Sequence, residues 1–433
     1  MTGHIQFFLR SEAVLGALTS LSSADDLVFY CGAGVSIDRT GLSWSQLLSE
    51  LFKESKDHGR KNRERDHKAI DFLLKNLKDE EQRASILTEY FTENGATDTN
   101  EYLTSKLQQI LYEENGWSEG NLLSNLVRLA IVAAMYKKSV TILTTNYDVY
   151  IEEEFIRVCK EMSDKANQAG VTVRYPGLER LISPKLPSNS TWTPRKIQDA
   201  VKTKSIVRIV YLHGRVGRPG TATEGTVVLD ENSYSISRNT ITDKIKEYID
   251  GKSLLVAGAS LTDGPLVEAL ALTKTKDATK QNRFALVHPT TTLDPLNYDC
   301  NFSIKDAIER ITQDDVDRLL GYRGKHLGIH ILHPMSHSQT AQFIEELNLA
   351  LVLHGRRTNR EYRDNIGISY EQRLFQWQTE WETNRPNPEE AHQILQDALK
   401  IKFRKFCPKR KMKIHSLDWK SGFELNLDQA TGP

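Results

Sequence analysis

Seven short apolar runs constrain this chain more than any other feature. They are DLVFYC (26–31), SVTILTT (139–145), SIVRIVYLHG (205–214), TVVL (226–229), SLLVAGAS (253–260), RFALVHP (283–289) and GIHILHP (328–334). They are rich in β-branched residues and near-continuous in apolar character, the pattern of strands buried on both faces. Helical spacing fills the intervals between them, so a parallel sheet with helices on both sides follows. The predicted fold class is α/β: a Rossmann-like doubly wound parallel sheet with an inserted helical subdomain and a C-terminal, mainly helical extension.

The interval from Ser43 to Lys138 is far longer than one crossover helix needs, so 43–138 reads as the helical insertion. Within it, KESKDHGRKNRERDHK (53–68) is a mixed-charge run that reads as a solvated face or loop. PGLERLISPKLPSNSTWTPRK (176–196) reads as a surface loop, from its Pro and Ser content. After His354 the strand pattern stops. Domains are therefore expected at 1–355, carrying the sheet, and at 356–433, an extension for assembly or partner contact. The stretch from Lys400 to Lys413 is basic with no acid. It could touch phosphates, but Lys and Arg are common at helix C-termini, so nucleic acid is not the favoured partner.

Charge and cysteine content remove other classes. Lys+Arg and Asp+Glu are equal at 57 each, so no global charge points to nucleic acid or membrane. The 4 Cys are dispersed without a CxxC pair, which argues against a disulfide framework or a cysteine zinc site. No zinc or other metal is expected. MTGHIQFFLRSEAV lacks the layout of a signal peptide, and LVRLAIVAAMY (126–136) is too short to span a bilayer. The expectation is a soluble cytoplasmic protein without a membrane partner.

Chemistry-bearing residues gather where the runs end, the edge at which such sheets bind ligands. The first run closes in Gly32-Ala33-Gly34 with Ser36 beyond. Such a turn either serves packing alone or lets a diphosphate reach the backbone. The second closes in TTNYD, where Asn146 and Asp148 could cap a helix or aim polar groups at a ligand. The third closes in LHG, where His213 could be structural or a base near a hydroxyl. The fifth closes in AGASLTD, with Gly258, Ser260 and Asp263; Asp263 could cap the next helix.

In this order GAGVS, TTNYD, LHG and GASLTD resemble the sirtuin-like superfamily of NAD-binding domains, across roughly residues 25–335. The resemblance implies NAD as ligand. Gly32, Ala33, Gly34 and Ser36 would line its diphosphate and adenosine side. Asn146 would hold the nicotinamide ribose or the attacking water, with Asp148 in support. His213 would be the general base acting through the ribose hydroxyls. Gly258 and Ser260 would bind the adenosine ribose and phosphate, with Asp263 nearby. Two departures separate the chain from the protein deacylases of that family: GLSWSQLL (41–48) replaces their Gly-Ile-Pro-Asp-Phe-Arg segment, and their two Cys pairs are missing. The Gly41-Leu42-Ser43-Trp44 stretch with Leu47 and Leu48 is closer to the bacterial branch that hydrolyses NAD in phage defence. Trp44 is expected to anchor the inserted helices in the core.

The function so implied is an NAD glycohydrolase that releases nicotinamide and ADP-ribose as a gated abortive-infection effector. It would use NAD as substrate and no further cofactor. The alternative is a non-catalytic sensor or scaffold that binds NAD or ADP-ribose. The likeness further implies a homo-oligomer and a HerA-type ATPase partner, supplied by another polypeptide because no Walker A pattern is present.

Overall fold

The computed structural model describes residues 4–6, 12–54, 68–69, 72–73, 76–77, 79–93, 99–112, 121–168, 173, 175–182, 192–198, 205–221, 223–225, 227–275, 282–288, 321–334, 337–358 and 424–426. The expectations for most of 53–68 and for the region after His354, including the basic stretch 400–413, lie outside the described residues apart from the end of one helix and one strand. The chain divides into two units. One comprises 1–16, 166–173 and 356–433; the other comprises 17–165 and 174–355. In the first, strand β1 (His4–Gln6) pairs antiparallel with β10 (Glu424–Asn426).

The second unit is built on an eight-stranded sheet. Its strands are β2 (Asp26–Cys31), β3 (Ser139–Thr144), β4 (Gly177–Ile182), β5 (Thr193–Gln198), β6 (Ile206–Tyr211), β7 (Ser253–Ala257), β8 (Arg283–Leu286) and β9 (His330–Leu332). Their spatial order is β5-β4-β6-β3-β2-β7-β8-β9, and every neighbouring pair is parallel except β4 with β5. The chain builds outward from β2 through β3 to β6, then crosses back to place β7 on the other side of β2. The carboxyl ends of β2 and β7 are thus neighbours at the point where strand order reverses. The α/β doubly wound reading holds.

Both faces of the sheet are buried, as continuous apolar runs require. Val28, Tyr30, Leu143, Val210, Leu254 and Val256 share one cluster with Ile241, Ile245 and Ile249 of α8 (Glu231–Ile249) and with Leu266, Ala269 and Leu270 of α9 (Gly264–Leu272). The alternating residues, among them Leu27, Phe29, Ile142, Ile209 and Leu255, are also buried. Helix α6 (Asn121–Met135) buries Leu122 to Met135 almost throughout and packs on β3 and β6. The interval 43–138 is helical where described: α3 (Trp44–Glu54), α4 (Glu80–Glu93), α5 (Thr99–Tyr112) and α6. Other helices are α1 (Glu12–Ser23), the short α2 (Ile37–Thr40), α7 (Tyr150–Gln168) and α10 (His337–Thr358).

Two expectations need correction. Of the run 226–229, the described residues 227–229 are not in a strand: the Val228 N–H donates to the His213 carbonyl at 3.0 Å, and Val228 and Leu229 line the cleft at the strand ends. The stretch 176–196, read as a loop, contributes the β4–β5 hairpin. Its apolar Leu178, Leu181 and Ile182 are buried, while Glu179 and Arg180 pair with Arg208 and Glu152, so charged residues sit within a sheet position. Ion pairing compensates for their low strand propensity.

Candidate functional site

A cleft of about 500 Å³ opens at the carboxyl edge of the sheet, and all four strand-end motifs reach it. Ala33 and Ser36 follow β2, Asn146 and Asp148 follow β3, His213 follows β6, and Ser260 and Asp263 follow β7. Gly32, Gly34 and Gly258 are absent from its lining. They pack one loop against the other. A Cβ on Gly32 would stand 2.7 Å from the Ala259 Cβ, one on Gly34 2.8 Å from the Gly258 Cα, and one on Gly258 2.5 Å from the Val35 nitrogen. Gly258 also takes φ +64°, which side-chain-bearing residues rarely adopt. The Gly32 and Gly34 N–H groups donate to the Ala257 and Gly258 carbonyls at 3.4 and 2.8 Å. The glycines therefore let the loops after β2 and β7 interlock at the switch point. It is Ala33, opening the 3-10 turn Ala33–Val35, that presents the turn to the cleft, where a first-position N–H lacks an intrahelical acceptor.

Ser36 is buried, and its hydroxyl joins two motifs. It accepts from Asn146 Nδ2 at 2.9 Å and donates to the Asp148 carboxylate. The Asn146 backbone N–H donates to Thr144 Oγ1 at 3.0 Å, fixing the amide from the other end. Asp148 also accepts from the Tyr150 N–H at 3.1 Å, so its helix-start role and its place in the cleft coexist. Burial pushes its carboxyl up to about 6, against the lowering effect of those hydrogen bonds.

His213 is 7% exposed, and its Nε2 has no hydrogen-bond partner. Burial lowers its basicity and the Asp263 carboxylate raises it in part. The neutral imidazole is therefore the resting form at pH 7, with Nε2 buried and without a hydrogen-bond partner. Tyr234 meets its ring edge-on, centroids 5.4 Å apart, and Tyr147 lies at 6.5 Å. Tyr147 is locked by its hydroxyl on the Val228 carbonyl at 2.6 Å.

Three lining features escaped sequence reasoning. Trp44 lies in the cleft wall, only partly buried and 5.8 Å from Tyr147 by ring centroids, and not in the core as expected. The GLSW pattern placed it near the glycine turn but could not say which way the indole faced. Tyr234 lies inside α8, where nothing in its neighbours marks it. Asp79, Glu80 and Glu81 at the start of α4 bring carboxylates to the mouth, and the described lining contains no Lys or Arg. Among the described residues no group of His, Cys, Asp and Glu is arranged to hold a metal. None of their helices is long and apolar enough to cross a membrane.

Residues 140–301 match the family model of a SIR2-like domain, a span that holds three of the four motifs and leaves out the glycine turn. No curated protein matches the chain at a significant level. Among solved structures, one chain described as "Structural Basis for the Mechanism and Regulation of Sir2 Enzymes" is similar over 81% of this chain and 100% of its own. It is 8% identical, with a TM-score of 0.32, a superposition too loose to assign the site.

Proposed function

We propose that the chain is an NAD glycohydrolase, acting as a gated anti-phage effector. The observation that carries this reading is the convergence on one cleft of a buried, neutral His213 whose Nε2 has no hydrogen-bond partner and an Asn146 amide held by Ser36. The match to a SIR2-like domain supports NAD as the ligand. In the reaction the bond between nicotinamide and the ribose anomeric carbon breaks, and its electron pair leaves with neutral nicotinamide. Water forms the new bond and releases one proton. His213 accepts a ribose hydroxyl proton as positive charge develops on the ring, and Asn146 orients the water without being basic enough to deprotonate it; the proton the added water loses restores the ribose hydroxyl, and His213 passes the one it took to solvent. Asp148 faces the cationic nicotinamide side. With no cation in the described lining, the diphosphate is met by dipoles: the Ala33 N–H and the Ser260 and Thr262 hydroxyls.

Gating is part of the proposal, because unregulated NAD loss kills a cell. A homo-oligomer and a HerA-type ATPase partner are the proposed means. Product analysis in ¹⁸O-labelled water tests the chemistry. Nicotinamide and singly labelled ADP-ribose in equal amounts are expected, alone or with the ATPase added. A cyclised or peptide-linked ADP-ribose product would contradict hydrolysis. Stable binding of NAD with no product under either condition would favour the sensor.

A further inference from the structure

Asp263 stands at the N-cap position of α9, yet its side chain makes no capping bond. Tyrosines from two other elements take its oxygens instead. Tyr30, wholly buried on β2, donates to Oδ2, and Tyr234 of α8 donates to Oδ1 at 2.6 Å. Burial, then the carboxylate itself, holds both phenols well above their ordinary range, so both keep their protons and act as donors. A cap bond would stabilise the helix, and this side chain forgoes it for the two tyrosines. Tyr234 is also the residue whose ring meets His213 edge-on, and Asp263 and His213 line the same cleft.

We propose that Asp263, clamped by Tyr30 and Tyr234, is a positioning residue for His213: a stationary negative charge that stabilises the imidazolium formed when Nε2 accepts a proton. Only the source of that proton, a ribose hydroxyl, rests on the hydrolase reading. A buried imidazole without a counter-charge would be neutral but a poor base. Asp263 offsets part of that loss from a fixed point without bonding to Nε2, which is buried and has no hydrogen-bond partner. The other ionisable groups around the cleft do not replace it. Tyr147 and Tyr234 are protonated neighbours; Asp148 is held by Ser36 and the Tyr150 N–H; Asp79 precedes α4, and Glu80 and Glu81 open it.

The test reads His213 directly. Its imidazole NMR signals, assigned by their loss in His213→Gln, are followed against pH in the ligand-free full chain. Asp263→Asn is expected to lower the midpoint by about one pH unit or more. Asp263→Glu should hold it near the wild-type value, and Tyr234→Phe, which leaves the charge, should move it far less than Asp263→Asn. Should the Asn variant fail to fold, Asp263→Ser removes the same charge with less bulk. In turnover the acid limb of kcat/KM should follow the same downward shift. An unchanged midpoint in a folded, charge-free variant overturns the pairing. A shifted midpoint in a chain that never consumes NAD supports the pairing and overturns the hydrolase reading instead.

Discussion

The His213 imidazole and the Asp148 carboxyl are both buried in the lining of the cleft, and burial moves them in opposite senses. His213 is held below its ordinary 6.5, so kcat/KM for NAD is expected to be flat at pH 7 and to fall only as pH drops below about 6.5. A limb centred above pH 7 would contradict its role as base. For Asp148 the folded value is raised from 3.8 to about 6. The cost of burying its charge is absent below pH 3.8 and fully present above pH 6, so it removes stability as pH rises between them. Asp148→Asn removes the buried charge and keeps the oxygen that accepts from the Tyr150 N–H, at the cost of the bond from Ser36, and should make the chain more stable at pH 8 relative to pH 4 by on the order of 2–3 kcal/mol compared with wild type. Thermal melts at both pH values check this, and equal effects at both would refute it. Gly258→Ala is expected to cost at least about 1–3 kcal/mol, from its positive φ and from the collision with the Val35 nitrogen. The small residues of GAG and GAS were visible in the sequence, but the packing of one loop on the other was not. A glycine required by another loop's backbone looks the same as one required by a ligand until the loops are seen together.

Helix α7 carries Asn146 and Asp148 on the turn that precedes it, and its first acids fix that turn. Glu152 pairs with Arg215 and Arg180, Glu153 with Arg218, and Glu154 with Arg39 and Arg157. Three consecutive carboxylates at a helix start read, in sequence, as dipole complementation. The structure instead uses them as ties to the loop after β6 and to α2. The Arg39–Glu154 pair is almost wholly excluded from solvent, at 1% and 0% side-chain exposure. Arg39→Ala is therefore expected to destabilise by about 3–5 kcal/mol, measured by denaturant unfolding, because it leaves a buried carboxylate short of a partner. A loss below about 1 kcal/mol would show that Arg157 alone satisfies Glu154. Elements were legible in proportion to how apolar they are. Six of the runs became strands, whereas β4 hid behind Glu179 and Arg180, and Val228 and Leu229 of TVVL line the cleft instead.

At the scale of the molecule, the strand order places the ends of β2, β3, β6 and β7 side by side, so four motifs spread over more than 200 residues of sequence share one cleft. That assembly was legible from strand ends alone, since a doubly wound sheet has only one edge where they can meet. The inserted helices were legible as helices but not as walls of the site. Trp44 and the acids at 79–81 come from them, and the direction a side chain takes off a helix depends on docking that periodicity does not encode. The acidic mouth bears on the whole reading, because it disfavours a diphosphate that the cleft's dipoles must hold. Replacing Asp79, Glu80 and Glu81 together by Asn and Gln is expected to lower KM for NAD several-fold, most at low ionic strength, with kcat little changed. A raised KM would mean these carboxylates bind the substrate.

The central claim is that Asn146 and His213 act together on NAD. Nicotinamide release by Asn146→Ala and by the wild type, with NAD binding measured on both by calorimetry, tests it most directly. The account predicts that the variant binds NAD within a few-fold of wild type and loses turnover by at least about 100-fold. Undiminished release by a folded Asn146→Ala chain would contradict it.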